Sequence, residues 1–221
     1  GPTASGKTAT AITIAKALRT VIISADSRQF YREIPIGTAA PTREELSEVE
    51  HFMIHNLSIE DRYDVADYEK DVLLLLKKLF LNHDAVVMTG GSGLFIDAVC
   101  NGLDSIPDIS EETRNRVNGL YEKGGVVALQ NELQHLDPEY YEIVDKQNPR
   151  RLQRAIEVCY QTGLPYSSFR KNNTKERDFK IIKLALLWER NELITRINKR
   201  VENMISDGLV EEARSVYHKR N

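Results

Sequence analysis

The first eight residues constrain the fold of this 221-residue chain more than any other stretch. The run GPTASGKT fits the pattern G-x-x-x-x-G-K-[ST], in which a curled backbone points several N–H groups at phosphate oxygens. A helical pattern follows directly in KTATAITIAKAL, so the positive end of a helix dipole would add to the loop. We therefore expect a phosphate-binding loop that consists of Gly1, Pro2, Thr3, Ala4, Ser5, Gly6, Lys7 and Thr8.

Two side chains of this loop have expected roles in binding. Lys7 supplies a positive charge, and the Thr8 hydroxyl is an expected ligand of Mg²⁺. The motif indicates phosphate and does not specify ATP. A motor ATPase is disfavoured, because an apolar strand that ends directly in an acid has only a loose match in VIISAD. A small-molecule kinase remains open, since such enzymes vary in this part of the sequence.

Strand and helix patterns alternate along the first half of the chain. The apolar runs VIIS and AVVMT predict buried strands, and VADYEKDVLLLLKKLFL and GLFIDAVCNG predict helices. This order predicts an α/β fold of the P-loop NTPase type, with a parallel sheet flanked by helices. Ligands of such sheets bind at the carboxyl ends of the strands, so the P-loop, Asp26–Ser27 and Gly90–Ser92 should meet in one crevice.

The second half of the chain predicts a helical insertion. Residues 106–178 are polar and helical in pattern, and KIIKLALLW, Lys180–Trp188, then predicts a further core strand before an amphipathic helix in ELITRINKRVENMISDG. We therefore divide the chain into a P-loop core (1–105), a helical insertion (106–178) and a return to the core (179–221). We also expect the native chain to extend beyond both ends of this sequence.

Composition narrows the class of protein. A net charge of −3, with 41% hydrophobic and 29% charged residues, is ordinary for a globular enzyme, and no run approaches the roughly 18 apolar residues of a membrane span. We expect a cytoplasmic monomer that is not bound to membranes. Cys100 and Cys159 lie in apolar helical patterns and are expected to be buried, reduced thiols. His51 and His55 are four apart but lack the pattern of a metal site.

Asp26 and several arginines are candidate site residues. Their spacing in the sequence does not decide between alternative roles. Asp26 could bind Mg²⁺ through water, act as a general base, or cap a turn. Arg150 and Arg154 share one face of the helix predicted in NPRRLQRAIEVCYQTG, which could be a solvated face or a phosphate contact. Arg196 and Arg200 are similarly spaced on the later helix, where either could reach a diphosphate.

Four motifs in this order resemble the tRNA dimethylallyltransferases, also called tRNA isopentenyltransferases: GPTASGKT, DSRQFYREIPIGTAAP, TGGSGLF and NPRRLQRAIEV. The resemblance covers nearly the whole chain. It implies transfer of a dimethylallyl group from dimethylallyl diphosphate to N6 of the adenosine 3′ of the anticodon in tRNA. The P-loop would then hold a diphosphate leaving group with Mg²⁺. The catalytic residues would be Asp26, as the base that takes the N6 proton, with Lys7 and Arg200 at the diphosphate.

The resemblance also implies a set of residues that contact tRNA. They are Asp26, Ser27, Arg28, Gln29, Ser92, Arg114, Arg150, Arg151, Leu152, Gln153 and Arg154. Ser92 stands where this family usually has Thr, and Ala40 replaces the Lys of the usual GTAKP, so that any contact made by that lysine is lost or moved. The alternatives are an adenylate isopentenyltransferase that acts on free nucleotides, a P-loop small-molecule kinase, and a nucleotide-gated binding protein without turnover.

Overall fold

The computed structural model of the protein describes residues 1–104, 106–170 and 174–219. These residues form three strands, which are β1 (Ile22–Ser24), β2 (His51–Phe52) and β3 (Val87–Thr89). They also form nine α-helices, which are α1 (Lys7–Leu18), α2 (Arg43–Glu48), α3 (Val65–Leu79), α4 (Gly93–Asn101), α5 (Glu111–Leu136), α6 (Pro138–Ile143), α7 (Pro149–Thr162), α8 (Arg190–Ser206) and α9 (Leu209–Val216). Within the described ranges, no helix combines the length and the apolar character needed to cross a membrane.

The three strands form a parallel sheet in the order β2-β1-β3. In the ladder between β1 and β3, Ile22 pairs with Val87 and Ser24 pairs with Thr89. The predicted α/β fold with a parallel sheet is therefore confirmed, together with the strands expected in VIIS and AVVMT. Because β1 and β3 are adjacent and parallel, the loops that follow them lie at the same edge of the sheet.

Helix α3 covers one face of this sheet. Its N-cap residue is Asp64, just before the helix, whose carboxylate accepts hydrogen bonds from the N–H groups of Ala66 and Asp67. Its buried stripe, which includes Tyr68 and Val72, packs with Phe30 and the strand residue Ile23 in one apolar cluster. The Tyr68 hydroxyl also donates to the carbonyl of Ser24 across 2.8 Å, which ties the helix to the end of β1.

The chain divides into two compact units. One consists of residues 1–102 and 176–221, and the other of residues 103–175. The second unit contains α5, α6 and α7, and its core is an apolar cluster between α5 and α7 that includes Val117, Leu129 and Ile156. A bend at Gly125, whose φ is 61°, interrupts α5. The buried carboxylate of Asp137 holds the start of α6 by accepting hydrogen bonds from Tyr140 and Ser167.

The strand predicted at Lys180–Trp188 is wrong. Residues 180–189 have no regular secondary structure and pair with none of the three strands. The side chains of Ile182, Leu184 and Leu187 are 76%, 75% and 91% exposed. An apolar, β-branched run forms a strand only where a neighbouring strand accepts its backbone hydrogen bonds and packs against its side chains, and this segment has no such neighbour in the described sheet.

The two cysteines are free thiols, as expected. Cys100 lies in α4 and Cys159 in α7, and both are buried. Burial raises the pKa of each thiol, because the thiolate is poorly solvated in apolar surroundings. Both are therefore inert packing residues rather than nucleophiles.

Candidate active site

The P-loop ends at the first turn of α1, and its backbone is shaped to receive an anion. Ala4 and Gly6 have positive φ angles of 57° and 85°, which turn the chain sharply before Lys7. No side chain caps the start of α1, in contrast to α3. The first N–H groups of a helix have no partner within it. Those of α1 are therefore available to phosphate oxygens.

Two side chains from the later part of the chain hold the P-loop from outside. The indole N–H of Trp188 donates to the carbonyl of Ser5 across 2.9 Å, and Nε of Arg196 donates to the carbonyl of Ala4 across 2.7 Å. The guanidinium of Arg196 also stacks on the Trp188 ring at 4.2 Å. In a trans peptide unit, the C=O and N–H groups point in opposite directions. Fixing these carbonyls therefore aims the N–H groups of Ser5 and Gly6 away from the two side chains.

Three of the predicted charged groups influence one another beside this loop. The ammonium of Lys7 donates to the carbonyls of Gly1 and Pro2 at 3.0 and 2.7 Å. The pKa of Lys7 is lowered, first by burial and then by repulsion from Arg200, whereas the carboxylate of Asp26 acts in the opposite direction. The structure therefore brings the predicted catalytic residues Lys7, Arg200 and Asp26 into one region.

The loop after β1 is bound to the loop after β3. The hydroxyl of Ser92 accepts from the N–H of Ser27 across 2.8 Å and donates to its hydroxyl across 3.0 Å. The N–H of Ser92 donates to the carbonyl of Ala25 across 3.1 Å. Although Ser92 is the N-cap residue of α4, its side chain makes no cap and is committed to Ser27. The convergence expected from the sheet topology is thus present in the structure.

Gly90 allows this close approach. A methyl group placed on its Cα would lie 2.0 Å from the carbonyl oxygen of Ala25, well inside contact distance. Only a residue without a side chain fits at this position.

Asp26 projects from the end of β1 and is half-buried. Its Oδ1 accepts from the N–H of Arg28 across 3.1 Å, which is the turn contact that its sequence context suggested. Its Oδ2 faces Gly91 and has no hydrogen-bond partner among the described residues. One carboxylate oxygen therefore orients the group, and the other is available to a ligand.

Gln29 has a different environment from the one expected for a direct contact. Its Oε1 accepts from the hydroxyl of Ser24, and its Nε2 donates to the carbonyls of Thr38 and Ala39. Its amide is therefore occupied within the protein, and it shapes the site rather than presenting a free group. Arg28, in contrast, is exposed.

The helical unit carries the remaining predicted contacts. The side chains of Arg114, Arg150 and Arg151 are exposed, and none of them forms an ion pair with a described residue. Arg154 lies 3.7 Å from Glu157, and Gln153 donates to Asn118 across 3.1 Å.

Leu152 requires a correction. It was expected among the tRNA-contacting residues, but its side chain is fully buried in the core of the helical unit. Leu152 lies on the buried stripe of α7, with Ala155, Ile156 and Cys159. It therefore anchors the helix and cannot present its side chain to a ligand.

The described residues form no preformed metal cage. No group of three or more His, Cys, Asp or Glu side chains within the described ranges could hold a metal ion. Nδ1 of His51 lies 2.7 Å from the carbonyl of Val49, which is a local backbone contact. The Thr8 hydroxyl has no side-chain partner in the described part of the chain, and Mg²⁺ prefers such oxygen ligands, completed by water and substrate phosphate. The residues of the P-loop therefore fit a Mg²⁺ ion that arrives with its phosphate.

Sequence reasoning missed two residues that shape this region, Trp188 and Glu212. Trp188 is the single tryptophan of the chain, and it was assigned to a strand rather than to the P-loop. Glu212 accepts hydrogen bonds from the N–H groups of Ile36 and Gly37, each across 2.7 Å. Its rarity is a signal that composition offers for the tryptophan, but no local pattern distinguishes Glu212 from the glutamate beside it.

The fold and this site define an α/β protein of the P-loop class, with a carboxylate at the end of the strand that follows the loop. The family model for the IPP transferases matches residues 29–221. The curated "tRNA dimethylallyltransferase 1" of Phocaeicola vulgatus is 52% identical over 98% of this chain and 72% of the relative, and "tRNA dimethylallyltransferase" of Christiangramia forsetii is 50% identical over the same shares. The chain belongs to the IPP transferase family, which confirms the resemblance seen in its motifs.

Solved structures agree with this assignment. The full-length tRNA isopentenylpyrophosphate transferase of Bacillus halodurans is 32% identical, with a TM-score of 0.60 over 100% of this chain and 69% of that one. The tRNA isopentenylpyrophosphate transferase of Staphylococcus epidermidis is 31% identical, with a TM-score of 0.61 over 99% of this chain and 72% of that one. A eukaryotic dimethylallyltransferase acting on tRNA has a TM-score of 0.79 over 99% of this chain and 55% of its own, and at 22% identity it supports the fold alone.

Proposed function

We propose that this protein transfers a dimethylallyl group from dimethylallyl diphosphate to N6 of the adenosine 3′ of the anticodon in tRNA. The observation that carries the proposal is the grouping of Lys7, Arg200 and the Asp26 carboxylate beside a P-loop, in a chain of the IPP transferase family. A diphosphate leaving group requires the cations, and an amine nucleophile requires the carboxylate. One region of the protein offers both.

The P-loop binds the donor through its diphosphate. As the bond between C1 of the dimethylallyl group and the diphosphate oxygen breaks, the electron pair stays on oxygen and negative charge grows there. The N–H groups at the start of α1, with Lys7 and Arg200, are fixed before the reaction and stabilise that charge as it develops. Trp188 and Arg196 keep the loop in this shape through the carbonyls of Ser5 and Ala4.

Asp26 serves the acceptor. N6 of the adenine forms a bond to C1 of the dimethylallyl group, and the nitrogen then carries a positive charge until it loses a proton. Oδ2 of Asp26 accepts the hydrogen bond that aims the amine, and then takes that proton. Oδ1 remains held by the N–H of Arg28, so that the carboxylate keeps its orientation.

Mg²⁺ is the metal that this site would use. The hydroxyl of Thr8 would hold it, together with phosphate oxygens and water. When bound, it adds positive charge that neutralises the diphosphate. The protein residues perform the positioning and the proton transfer.

The exposed arginines favour tRNA over a free nucleotide as the acceptor. Arg114, Arg150 and Arg151 offer charges to a phosphate backbone, which free AMP would not need. Ser27 and Arg28 lie next to Asp26 and would contact the target adenosine, which must leave its stack to reach the carboxylate.

Incubation with radiolabelled dimethylallyl diphosphate tests the proposal. Unmodified tRNA, AMP and buffer are the three acceptors, and ATP labelled on its γ-phosphate is used in a parallel set. Label from the prenyl group in tRNA, lost when the target adenosine is replaced, is the expected result. Label in AMP alone would instead indicate an adenylate isopentenyltransferase. Transfer of labelled phosphate would indicate a kinase, and the absence of any transfer would indicate a binding protein.

A further inference from the structure

The carboxylate of Glu212 binds two neighbouring backbone amides from a distant part of the chain. Its Oε2 accepts from the N–H of Ile36 and its Oε1 from the N–H of Gly37, both across 2.7 Å. Hydrogen bonds to an ionised acceptor are roughly twice as strong as neutral ones. Leu209, at the start of α9, also lies against Gly37. Helix α9 therefore holds residues 34–40, which we call the 34–40 turn.

Internal hydrogen bonds make the 34–40 turn a rigid unit. The N–H of Thr38 donates to the carbonyl of Ile34 across 3.2 Å, and that of Ala40 donates to the carbonyl of Pro35 across 3.0 Å. The Thr38 hydroxyl donates to the Ile34 carbonyl as well, across 2.9 Å. A contact that fixes the middle of this turn therefore fixes its end.

Gln29 connects the end of the turn to the segment that carries Asp26. Its Nε2 donates to the carbonyls of Thr38 and Ala39 at 3.4 and 3.1 Å. Its Oε1 accepts from the hydroxyl of Ser24, the last residue of β1, across 3.0 Å. Ser24 and Gln29 flank the short loop that contains Asp26. The position of that loop therefore depends on where the 34–40 turn lies.

We infer that Glu212 is a positioning residue for the loop formed by residues 26–29, through the 34–40 turn and Gln29. Its contacts in the structure are with the turn, and its carboxylate sets where the 34–40 turn lies. This inference rests on the proposed function, in which Asp26 meets the adenosine. Loss of the carboxylate would move Asp26 relative to the P-loop, and a displacement of about 1 Å can cost a reaction up to roughly a hundredfold in rate.

Glu212→Ala and Glu212→Gln test this role, with Glu211→Gln as the matched control. Glu211 is the adjacent, exposed carboxylate in the same turn of α9. We expect Glu212→Ala to lower kcat/KM for tRNA by roughly 10- to 100-fold and Glu212→Gln, which keeps one acceptor, to lower it less. Glu211→Gln should match the unsubstituted protein. The affinity for a non-reactive donor analogue should not change, because Trp188 and Arg196 hold the P-loop independently.

Two kinetic results would overturn the inference. One is an unchanged kcat/KM for tRNA in Glu212→Ala. The other is a loss of donor affinity as large as the loss in kcat/KM, which would mean that the whole unit is disturbed and that Glu212 is only a packing residue.

Amide hydrogen exchange tests the same connection without any activity. In Glu212→Gln, exchange should become faster at Ile36 and Gly37 and also at Arg28, whose N–H is bound to Asp26. Faster exchange confined to Ile36 and Gly37 would show that the effect stops at the turn, and would refute the positioning role. Because this result needs no transfer reaction, it separates a failure of this inference from a failure of the proposed function.

Discussion

The N–H of Ser27 donates to the hydroxyl of Ser92 across 2.8 Å, and so joins the loops at the ends of β1 and β3. A hydroxyl can both accept and donate, and that of Ser92 does both by also donating to the Ser27 hydroxyl. The contact fixes the position of Ser27, and so of the neighbouring Asp26, relative to the start of α4.

Replacing Ser92 by Ala should therefore weaken catalysis by moving the neighbour of Asp26. We expect kcat to fall by roughly tenfold, the scale of one or two lost hydrogen bonds. Ser92→Thr keeps the hydroxyl and should retain most of the activity. Single-turnover rates of the two variants with saturating donor and tRNA provide the measurement, and equal rates would contradict the assignment.

Asp26→Asn should slow the chemical step without loss of donor binding. The amide retains the shape of the side chain but is a much weaker base, so we expect transfer to slow by roughly 10²- to 10⁴-fold. Single-turnover kinetics measure the rate, and titration with a non-reactive donor analogue measures binding. An unchanged single-turnover rate would exclude Asp26 as the base.

Trp188→Phe should weaken donor binding by loosening the P-loop. Phenylalanine preserves the ring under Arg196 but has no N–H for the carbonyl of Ser5. A neutral hydrogen bond contributes about 1 kcal/mol, so we expect the Kd of a donor analogue to rise by roughly fivefold. Tyr121→Phe, on the exposed surface of the helical unit, is the control and should leave this Kd unchanged.

The affinity for the donor should depend on pH through Lys7. Burial and the nearby Arg200 lower the pKa of Lys7 below the 10.5 of an ordinary lysine. The ammonium is present below this lowered pKa and is lost as the pH rises through it, so donor affinity should fall in that alkaline range. Arg200→Met removes a repulsive charge and should move the fall to higher pH, even though the overall affinity is weaker.

Arg196→Met is the control for this shift. Arg196 contacts the P-loop but is not among the charges that lower the pKa of Lys7. Its removal should reduce donor affinity without moving the midpoint of the pH profile. A midpoint that moves equally in both variants would contradict the role assigned to Arg200.

Arg177→Ala should destabilise the unit that contains the P-loop. The guanidinium of Arg177 is largely buried, pairs with Glu69 at 2.7 Å, and donates to the carbonyls of Ala98 and Val99 at the end of α4. Breaking a buried ion pair typically costs about 3–5 kcal/mol. Urea denaturation measures the change, with Lys199→Ala, which removes an exposed pair with Glu202, expected to cost less than about 0.5 kcal/mol.

The sequence predicted the elements whose signals are local. The P-loop motif, the helix α1 and the strands β1 and β3 were found because each has its own periodicity or spacing. The helix α7 was also predicted, from the pattern of NPRRLQRAIEVCYQTG. The burial of Leu152 on that helix shows that its side chain is not available to tRNA, which the sequence prediction did not take into account.

What the sequence could not predict depends on partners that are distant along the chain. The run Lys180–Trp188 has the composition of a strand, but whether it forms one is decided by a neighbouring strand. The contacts of Trp188 with Ser5 and of Glu212 with Gly37 join residues that are more than a hundred positions apart. No periodicity records which backbone carbonyl or amide will lie within reach.

The path of the backbone at Gly90 limits how this enzyme can diverge. Because the Ala25 carbonyl fills the space of any side chain there, even alanine would force apart the two strands that carry the reactive loops. Substitutions that change the acceptor must therefore occur at the side chains around the cleft. At Gly90 itself, no single substitution can be accommodated without moving the backbone.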